Sequence, residues 1–322
     1  MTPPALPTLA EIEAAAALVD PVVPPTPQYS WPQLNTAAGC ELWVKHENHT
    51  PLGAFKVRGG LVYFDALRRR EPAVRGVVCA TRGNHGQSVA FAARRAGLTA
   101  TVVVPHGNSP GKNAAMRALG ATLVEHGADF QAALEHARTL AATHGWHAMP
   151  SFAPELVCGV AVSALDFLRR TPPLDAVYVP IGLGSGICAM LAARAALGLR
   201  TEVIGVCSAA APAIARSFAA RAPLVAPAVT ELADGLACST PHPAALAAIL
   251  AGVSRIVEVT DAEVAAAMRL AFDATHNALE GAAAAGLAGV LQDRARLSGR
   301  RVGLILTGGN VDAAVFARVL AA

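Results

Sequence analysis

A polar segment at residues 45–60, KHENHTPLGAFKVRGG, stands out in an otherwise apolar chain and holds two of its few lysines. Lys56 follows Phe55 and lies between Gly53 and Gly59. A lysine in an apolar, glycine-lined setting loses solvation, so its pKa falls and its neutral amine becomes a nucleophile. Such an amine suits covalent chemistry with a carbonyl group. The alternative is a solvated lysine on a surface loop, which is the commoner case for an arbitrary lysine.

A glycine loop follows the apolar run AVYVP at residues 176–180. A strand, a glycine loop and a helix N-terminus in succession form an anion site, because the N–H groups point outward and the helix dipole favours a phosphate. The glycines are spaced GxGxG (Gly182, Gly184, Gly186), and the next strand ends at Cys207 without the acid that a nicotinamide enzyme needs. A small phosphorylated cofactor therefore fits the loop better than NAD, and a plain tight turn is the alternative.

Composition excludes several classes of protein. Of the 322 residues, 53% are hydrophobic and 15% are charged, and the formal net charge is +3. The apolar content argues against disorder, and the small charge excess argues against a nucleic-acid partner. Two uncharged windows, residues 176–193 and 235–254, are interrupted by glycine or proline, so neither predicts a membrane span. The first 20 residues lack a basic region and carry Glu11 and Glu13, so we expect no signal peptide.

The six cysteines are widely spaced, and no two are closer than 19 residues. This spacing excludes zinc and redox motifs of the CxxC type. Four cysteines lie in apolar or small-residue stretches and are predicted to be buried: Cys79, Cys188, Cys207 and Cys238. We expect a reducing, cytoplasmic location.

Short apolar runs alternate with alanine-rich stretches of helical period, which is typical of an α/β fold with parallel sheets covered by helices. Strands are predicted at residues 76–80, 99–104, 121–125, 176–180, 202–207 and 301–306. Helices are predicted at residues 87–96, 112–119, 129–144, 187–197 and 262–275. An N-terminal helix through residue 19 is predicted from a capping box formed by Thr8 and Glu11.

The strand–helix units fall into two series, in agreement with the two domains that the chain length favours. We predict a large domain from residues 1–70 plus 150–322, and a small domain, residues 71–149, inserted in it. Residues 145–154 carry no period and are predicted to cross between the domains.

Four motifs in order resemble those of the fold-type II pyridoxal-phosphate enzymes, which include serine/threonine dehydratases and serine racemases. The lysine segment resembles the cofactor-lysine motif, and TRGNHGQS (81–88) resembles the asparagine loop. GLGSG (182–186) resembles the phosphate cup, and TGGN (307–310) resembles the motif that meets the pyridine nitrogen. One such motif is weak alone, but four in order, between about Pro25 and Asn310, are highly specific. The resemblance implies two doubly wound parallel-sheet domains, as in the tryptophan synthase β chain, with pyridoxal 5'-phosphate in the cleft.

The resemblance implies a role for each matched residue. Lys56, with Phe55 beside it, would bind the cofactor covalently and then take the α-proton of the substrate. Asn84 would hydrogen-bond the ring hydroxyl. Thr307 would meet the pyridine nitrogen, where a neutral hydroxyl leaves the ring largely unprotonated and favours elimination over transamination. The phosphate would be held chiefly by the backbone N–H groups of Gly182, Leu183, Gly184, Ser185 and Gly186.

The resemblance also implies a loop for the substrate carboxylate, formed by Thr81, Arg82, Gly83, Asn84 and His85. For His85, a structural hydrogen bond beneath the loop is an equally good interpretation. Glu280, in LEGAAAAGLAG, matches a family position near the pyridine edge, although the dipole of a following helix would also favour an acid there.

Three departures from the family pattern carry further expectations. At the position of Arg82 the racemases have a serine that acts as a base, which a permanently charged guanidinium cannot do; the neighbouring Thr81 keeps racemisation open. Arg82 would instead bind a substrate carboxylate or form a surface ion pair. Residues 208–211, SAAA, contain no acid, so the family's Mg or Ca site is not expected. The apolar residues 157–166 predict a wall that favours a larger or more apolar substrate.

These observations predict a pyridoxal-phosphate lyase that removes water from a β-hydroxy-α-amino acid and releases a 2-keto acid and ammonia. Threonine or serine is the default substrate, and phenylserine and 3-hydroxyaspartate are options. A racemase or β-replacement synthase of the same fold is the main alternative; a phosphate-ligand binding protein and a nicotinamide dehydrogenase are alternatives from other classes. The expected assembly is a homodimer. Because only 12 residues follow Asn310, we expect no regulatory domain.

Overall fold

Apolar runs form the strands and alanine-rich stretches form the helices in the computed structural model, which describes residues 5–322. The strands are β1 (Gln28–Ser30), β2 (Glu41–His46), β3 (Gly76–Ala80), β4 (Thr99–Val104), β5 (Thr122–Glu125), β6 (His147–Ala148), β7 (Ala176–Pro180), β8 (Glu202–Ser208), β9 (Arg255–Val259) and β10 (Arg301–Leu306). The helices are α1 (Leu9–Val19), α2 (Pro32–Ala38), α3 (Lys56–Arg70), α4 (Asn84–Arg95), α5 (Pro110–Ala118), α6 (Phe130–His144), α7 (Pro154–Arg170), α8 (Ser185–Ala196), α9 (Ala213–Ala220), α10 (Pro243–Gly252), α11 (Asp261–Thr275), α12 (Gly281–Gln292) and α13 (Ala313–Ala321).

The strands form two sheets. The first has the order β1-β2-β10-β7-β8-β9 and is parallel except for the antiparallel edge pair β1–β2. The second has the order β5-β4-β3-β6 and is parallel throughout. The predicted α/β class with parallel sheets is confirmed. We propose the same division into a large and a small domain as above, because the second sheet lies wholly between residues 71 and 149; residues 1–4 of the large-domain range lie outside the described part.

Most predicted elements agree with the structure to within a few residues. Strands β3, β4, β7 and β10 have the predicted bounds, and the Thr8–Glu11 capping box begins α1 as predicted. Residues 145–154, in which the sequence shows no period, contain β6, which pairs with β3. Two residues are too few to show a period, so this strand depends on its partner. Cys238 is half-buried rather than buried, and Cys40 is buried although it was not predicted to be.

The apolar stretch at residues 157–166 lies in α7 and belongs to the hydrophobic core that α7 shares with α1, α3 and α8. Gly159 brings α7 against α3, since a Cβ there would overlap the carbonyl oxygen of Arg58. Helix packing therefore accounts for the apolar character of residues 157–166. The structure places these side chains in the core between helices, so the prediction of a substrate-facing wall is wrong.

Helix α12 covers the opposite face of the large sheet with very small side chains. Its residues 281–290 are all buried, and all but Leu287 and Val290 are alanine or glycine. The helix contacts β7, β8, β9 and β10. Side chains this small allow the helix to lie close to the strands.

A buried ion pair holds the first turn of α3 in place. Arg58 donates from Nε to Glu47 Oε2 at 2.7 Å and from Nη1 to the Val23 carbonyl at 3.0 Å. A second ion pair, between Lys45 of β2 and Asp166 of α7, joins the neighbouring strand to the helix that packs against α3. The Arg58 guanidinium holds the pKa of Glu47 below its ordinary value in spite of full burial. The first turn of α3 is thus tied to Glu47 and to the Val23 carbonyl by one buried guanidinium.

No helix within residues 5–322 is long and apolar enough to cross a membrane.

We predict that Arg58→Leu lowers the free energy of unfolding by about 3–5 kcal/mol, because it leaves the Glu47 carboxylate buried without a counter-charge. The exposed pair of Arg69 with Asp65 is the matched control, and Arg69→Gln should change the same quantity by less than about 1 kcal/mol. Urea unfolding followed by circular dichroism measures both. Equal, small changes in the two variants would show that the buried pair does not hold α3.

Candidate active site

The predicted site residues lie where strands end and helices begin. Lys56, Asn84 and Ser185 are the first residues of α3, α4 and α8. Glu280 directly precedes α12, and Thr307 directly follows β10. In parallel α/β folds these ends meet at the carboxyl edge of the sheets, which is where ligands bind.

Lys56 carries a side-chain amine of altered acidity. Burial lowers its pKa from 10.5 to about 8, and the Glu280 carboxylate opposes this fall only in part. Its Nζ lies 4.7 Å from the centre of the Phe55 ring. The backbone N–H of Phe55 donates to the Thr307 carbonyl at 3.0 Å, so the lysine segment and the TGGN motif are in contact. Near pH 8 about half of the Lys56 side chains are therefore neutral amines.

Asn84 joins three of the motifs. Its Nδ2 donates to Glu280 Oε1 at 2.6 Å, and its Oδ1 accepts from Asn310 Nδ2 at 2.9 Å. Asn310 also donates to the Leu52 carbonyl at 2.8 Å. Glu280 makes no cap to its own helix, so the structure places it toward Asn84 rather than in the helix-capping role that the sequence left open.

The glycine loop has the shape of an anion cradle. Gly184 has φ +111°, which glycine adopts readily, and a Cβ at Gly182 would overlap the carbonyl oxygen of Gly235. Helix α8 begins without a side-chain cap, so the first N–H groups, from Ser185 on, have no partner within the helix. Gly186 faces the Phe55 ring, which brings the cradle to the lysine segment. Unpaired N–H groups at a helix N-terminus suit a phosphate.

The predicted substrate loop, residues 81–85, has two kinds of side chain. The Thr81 hydroxyl accepts from the Gly83 N–H at 3.0 Å and so serves the loop itself. Arg82 is exposed and makes no hydrogen bond or ion pair to any of residues 5–322. His85 is buried next to Lys56, and burial lowers its pKa to about 3. Its Nε2 finds no partner in the described part of the chain. His85 is therefore a neutral imidazole with one free ring nitrogen.

Two charged residues that the sequence did not single out complete the site. Lys112 Nζ lies 2.6 Å from Asp234 Oδ2 and 3.4 Å from Glu280 Oε2, with the lysine side chain 8% exposed. The chain has only three lysines, Lys45, Lys56 and Lys112. Lys45 and Lys56 lie in the lysine segment, so the rarity of lysine is the one feature of the sequence that could have indicated a role for Lys112. Asn310 is the last residue of the TGGN motif, and the sequence assigned no role to it.

The described residues, 5–322, contain no group of three or more His, Cys, Asp or Glu side chains that could hold a metal ion. The expectation of no metal site after β8 stays a prediction.

A neutral lysine amine facing a backbone anion cradle defines a site for a phosphorylated carbonyl cofactor. The family described as pyridoxal-phosphate dependent enzyme matches residues 19–308, and the chain belongs to this family. Its cofactor is pyridoxal 5'-phosphate, which the cradle and the amine fit.

The relatives include several lyases. An L-threo-3-hydroxyaspartate ammonia-lyase of Pseudomonas sp is 33% identical over 92% of each chain. A phenylserine dehydratase of Ralstonia pickettii is 34% identical over 98% of this chain and 97% of that one. Among solved structures, a pyridoxal 5'-phosphate-dependent aspartate racemase has a TM-score of 0.90 at 27% identity, covering 97% of this chain and 98% of that one.

We predict that Lys56 of the cofactor-free protein reacts with an amine-acylating reagent with a pH midpoint of about 8. The neutral amine is the nucleophile, so reactivity is present above the midpoint and is lost as the pH falls through it. Peptide mass spectrometry measures each lysine separately. Lys45 and Lys112, held in buried ion pairs, are internal controls that should react slowly throughout. A midpoint near 10.5 would contradict the lowered pKa.

Proposed function

We propose that the protein is a pyridoxal-phosphate lyase that removes water from a β-hydroxy-α-amino acid and releases a 2-keto acid and ammonia. Relatives at about a third identity over nearly the whole chain are named as ammonia-lyases and dehydratases. The observation that carries the proposal is Lys56, whose amine is neutral in part near physiological pH and can act as a base.

The cofactor, when bound, withdraws electrons from the α-carbon and so stabilises the negative charge that forms there. Lys56 Nζ takes the α-proton. The bond between the β-carbon and its oxygen then breaks, and the hydroxyl takes a proton from the Lys56 ammonium and leaves as water. The enamine product hydrolyses to the keto acid and ammonia. We assign the phosphate to the N–H groups of residues 182–186, the ring hydroxyl to Asn84 and the pyridine nitrogen to Thr307.

The start of α4 is the proposed site for the substrate α-carboxylate. The helix begins after Gly83 without a side-chain cap, so the N–H groups of its first turn are free to bind an anion. His85 lies in this turn and stays neutral, so it does not act as an acid near neutral pH.

Arg82 supports a dicarboxylic substrate of the 3-hydroxyaspartate class. It is the one residue of the substrate loop that is both charged and without a partner among residues 5–322. A guanidinium binds a carboxylate through two parallel hydrogen bonds. Residues 157–166 lie in the helical core rather than in a wall that faces the substrate, so they do not favour an apolar substrate. A relative at 33% identity bears the name of that activity.

Racemisation is the second candidate, because a structural neighbour with a TM-score of 0.90 is named an aspartate racemase. A racemase needs a base on the opposite face of the substrate. Arg82 cannot supply one, and the Thr81 hydroxyl is taken up by the Gly83 N–H. Elimination needs only Lys56. We therefore favour the lyase.

We also propose that the protein works as a homodimer in the cytoplasm. Sedimentation of the purified protein tests the assembly, and a species of 32.8 kDa would contradict it.

We predict that the wild-type protein releases keto acid from β-hydroxy amino acids, without D-isomer and without thiol incorporation. Lys56→Ala should lower this rate by at least about a hundredfold, because a positioned base contributes that much or more. Chiral chromatography and a keto-acid assay measure the products. A D-isomer as the main product would replace the lyase by a racemase, and a colourless wild type without turnover would favour a binding protein.

We predict that Arg82→Gln raises the KM for 3-hydroxyaspartate about 10- to 100-fold, since a hydrogen bond to a charged group contributes about 1.5–3 kcal/mol. The values for serine and threonine should stay unchanged. Arg94→Gln, which removes an exposed arginine of α4, the helix that follows this loop, is the control. An equal loss for all three substrates would show that Arg82 does not recognise a second carboxylate.

A further inference from the structure

The direction of the Asn84 amide is determined by its neighbours. The Leu52 carbonyl can only accept, so the Asn310 atom that faces it must be the donor Nδ2. The same Nδ2 faces Asn84, so the Asn84 atom that faces Asn310 must be the acceptor Oδ1. The Asn84 Nδ2 then faces Glu280. The arrangement holds only while the Glu280 oxygen that Asn84 contacts is an acceptor.

Glu280 sits where a carboxyl group gains a proton easily. It is 4% exposed. Burial raises its pKa, and the neighbouring Asp234 raises it further. Lys112 and the hydrogen bond from Asn84 act in the opposite direction. A proton on Glu280 Oε1 turns that atom from an acceptor into a donor that faces the Asn84 Nδ2 donor, so this contact is lost.

Lys112 reaches Glu280 from the other sheet. It belongs to the first turn of α5, between β4 and β5, whereas Glu280 and Asp234 belong to the part of the chain around the large sheet. Its stem passes over Gly83, where a Cβ would overlap the lysine side chain. Glu280 Oε2 has no hydrogen-bond partner among the described residues, so the ammonium 3.4 Å away acts on it through its charge, which favours the ionised carboxylate.

A second contact holds the same turn. Asp312, which precedes α13, accepts from Ser109 Oγ and from the Gly111 N–H, each at 2.9 Å. Three residues at the start of α5 thus bind carboxylates of the large part of the chain. The Lys112 ammonium is held in place by this turn as well as by its two carboxylates.

We infer that Lys112 is a positioning residue, which keeps the Glu280 carboxylate an acceptor and thereby supports, together with Asn310, the direction in which Asn84 presents its amide to the cofactor. The inference rests on the proposed function only through the role of Asn84. Lys112 touches neither the substrate nor the reacting atoms in this role. It acts through Glu280.

The titration of Glu280 in the holoenzyme tests this inference. Carbon-13 labelling of glutamate carboxyl groups gives one NMR signal for each, and Glu280→Gln assigns the signal that disappears. Lys112→Gln should raise the Glu280 pKa by about 1–3 units, since an opposite charge within 4–6 Å shifts a carboxyl by that amount. Arg117→Gln removes an exposed ion pair on the same helix and should leave the signal unchanged. The same midpoint in Lys112→Gln and wild type would overturn the inference.

Asp234→Asn is a second variant with the opposite sign. It removes the neighbouring negative charge and leaves Lys112 to Glu280 alone, so the Glu280 midpoint should fall. If Lys112→Gln does not fold, this variant still decides the matter, because a midpoint that stays or rises contradicts the arrangement. Neither measurement requires turnover, so a failure of the proposed lyase activity leaves this test intact.

A double variant separates positioning from a merely structural role. Glu280→Gln offers Asn84 an uncharged carbonyl acceptor that needs no lysine. The loss in kcat from Lys112→Gln should therefore be smaller in the Glu280→Gln background than in wild type, with KM little changed. Equal losses in both backgrounds would show that Lys112 does not act through Glu280.

Discussion

The hydrogen bond from Asn84 to Glu280 is the contact on which the site depends. At 2.6 Å it joins the start of α4, beside the small sheet, to the start of α12, on the large one. The lysine segment and the TGGN motif meet the same amide through Asn310. Four segments that are far apart in sequence therefore have one polar meeting point, and any rotation between the sheets would break it. The orientation of the two sheets and the integrity of the site are one property.

The three lysines show how surroundings decide the chemistry of one side-chain type. Lys45 is wholly buried, and burial lowers its pKa, but its ion pair with Asp166 opposes this fall, and its Nζ also donates to the Thr26 carbonyl at 2.8 Å. Lys112 pairs with two carboxylates, and these raise its pKa. Lys56 alone has no ion pair among the described residues, and burial lowers its pKa to about 8. A nucleophile arises here from the absence of a partner that the other two possess.

The sequence predicted the parts of the molecule that depend on local pattern. Strands buried on both faces, such as β3 and β10, are continuous apolar runs, and their bounds were predicted to the residue. The glycine motifs predicted the anion cradle and the lysine segment. What escaped prediction depends on distant partners. Strand β6 exists because β3 lies beside it, and the apolar face of α7 is a packing surface against α3 and α8. Lys112 acquires its role from Asp234 and Glu280, which lie more than 120 residues away along the chain. Spacing within a segment carries no information on such pairs.

Helix α12 gives the large sheet an unusual pattern of mutational tolerance. A core built from leucine and phenylalanine fails mainly when atoms are lost, because truncation leaves a cavity and costs about 2–5 kcal/mol. Residues 282–285 are four consecutive buried alanines, so there is little left to truncate. Almost every substitution there adds volume, and overpacking costs about 1–3 kcal/mol. The sheet–helix contact is therefore expected to accept few substitutions, because most of them add volume that the packed strands do not accommodate.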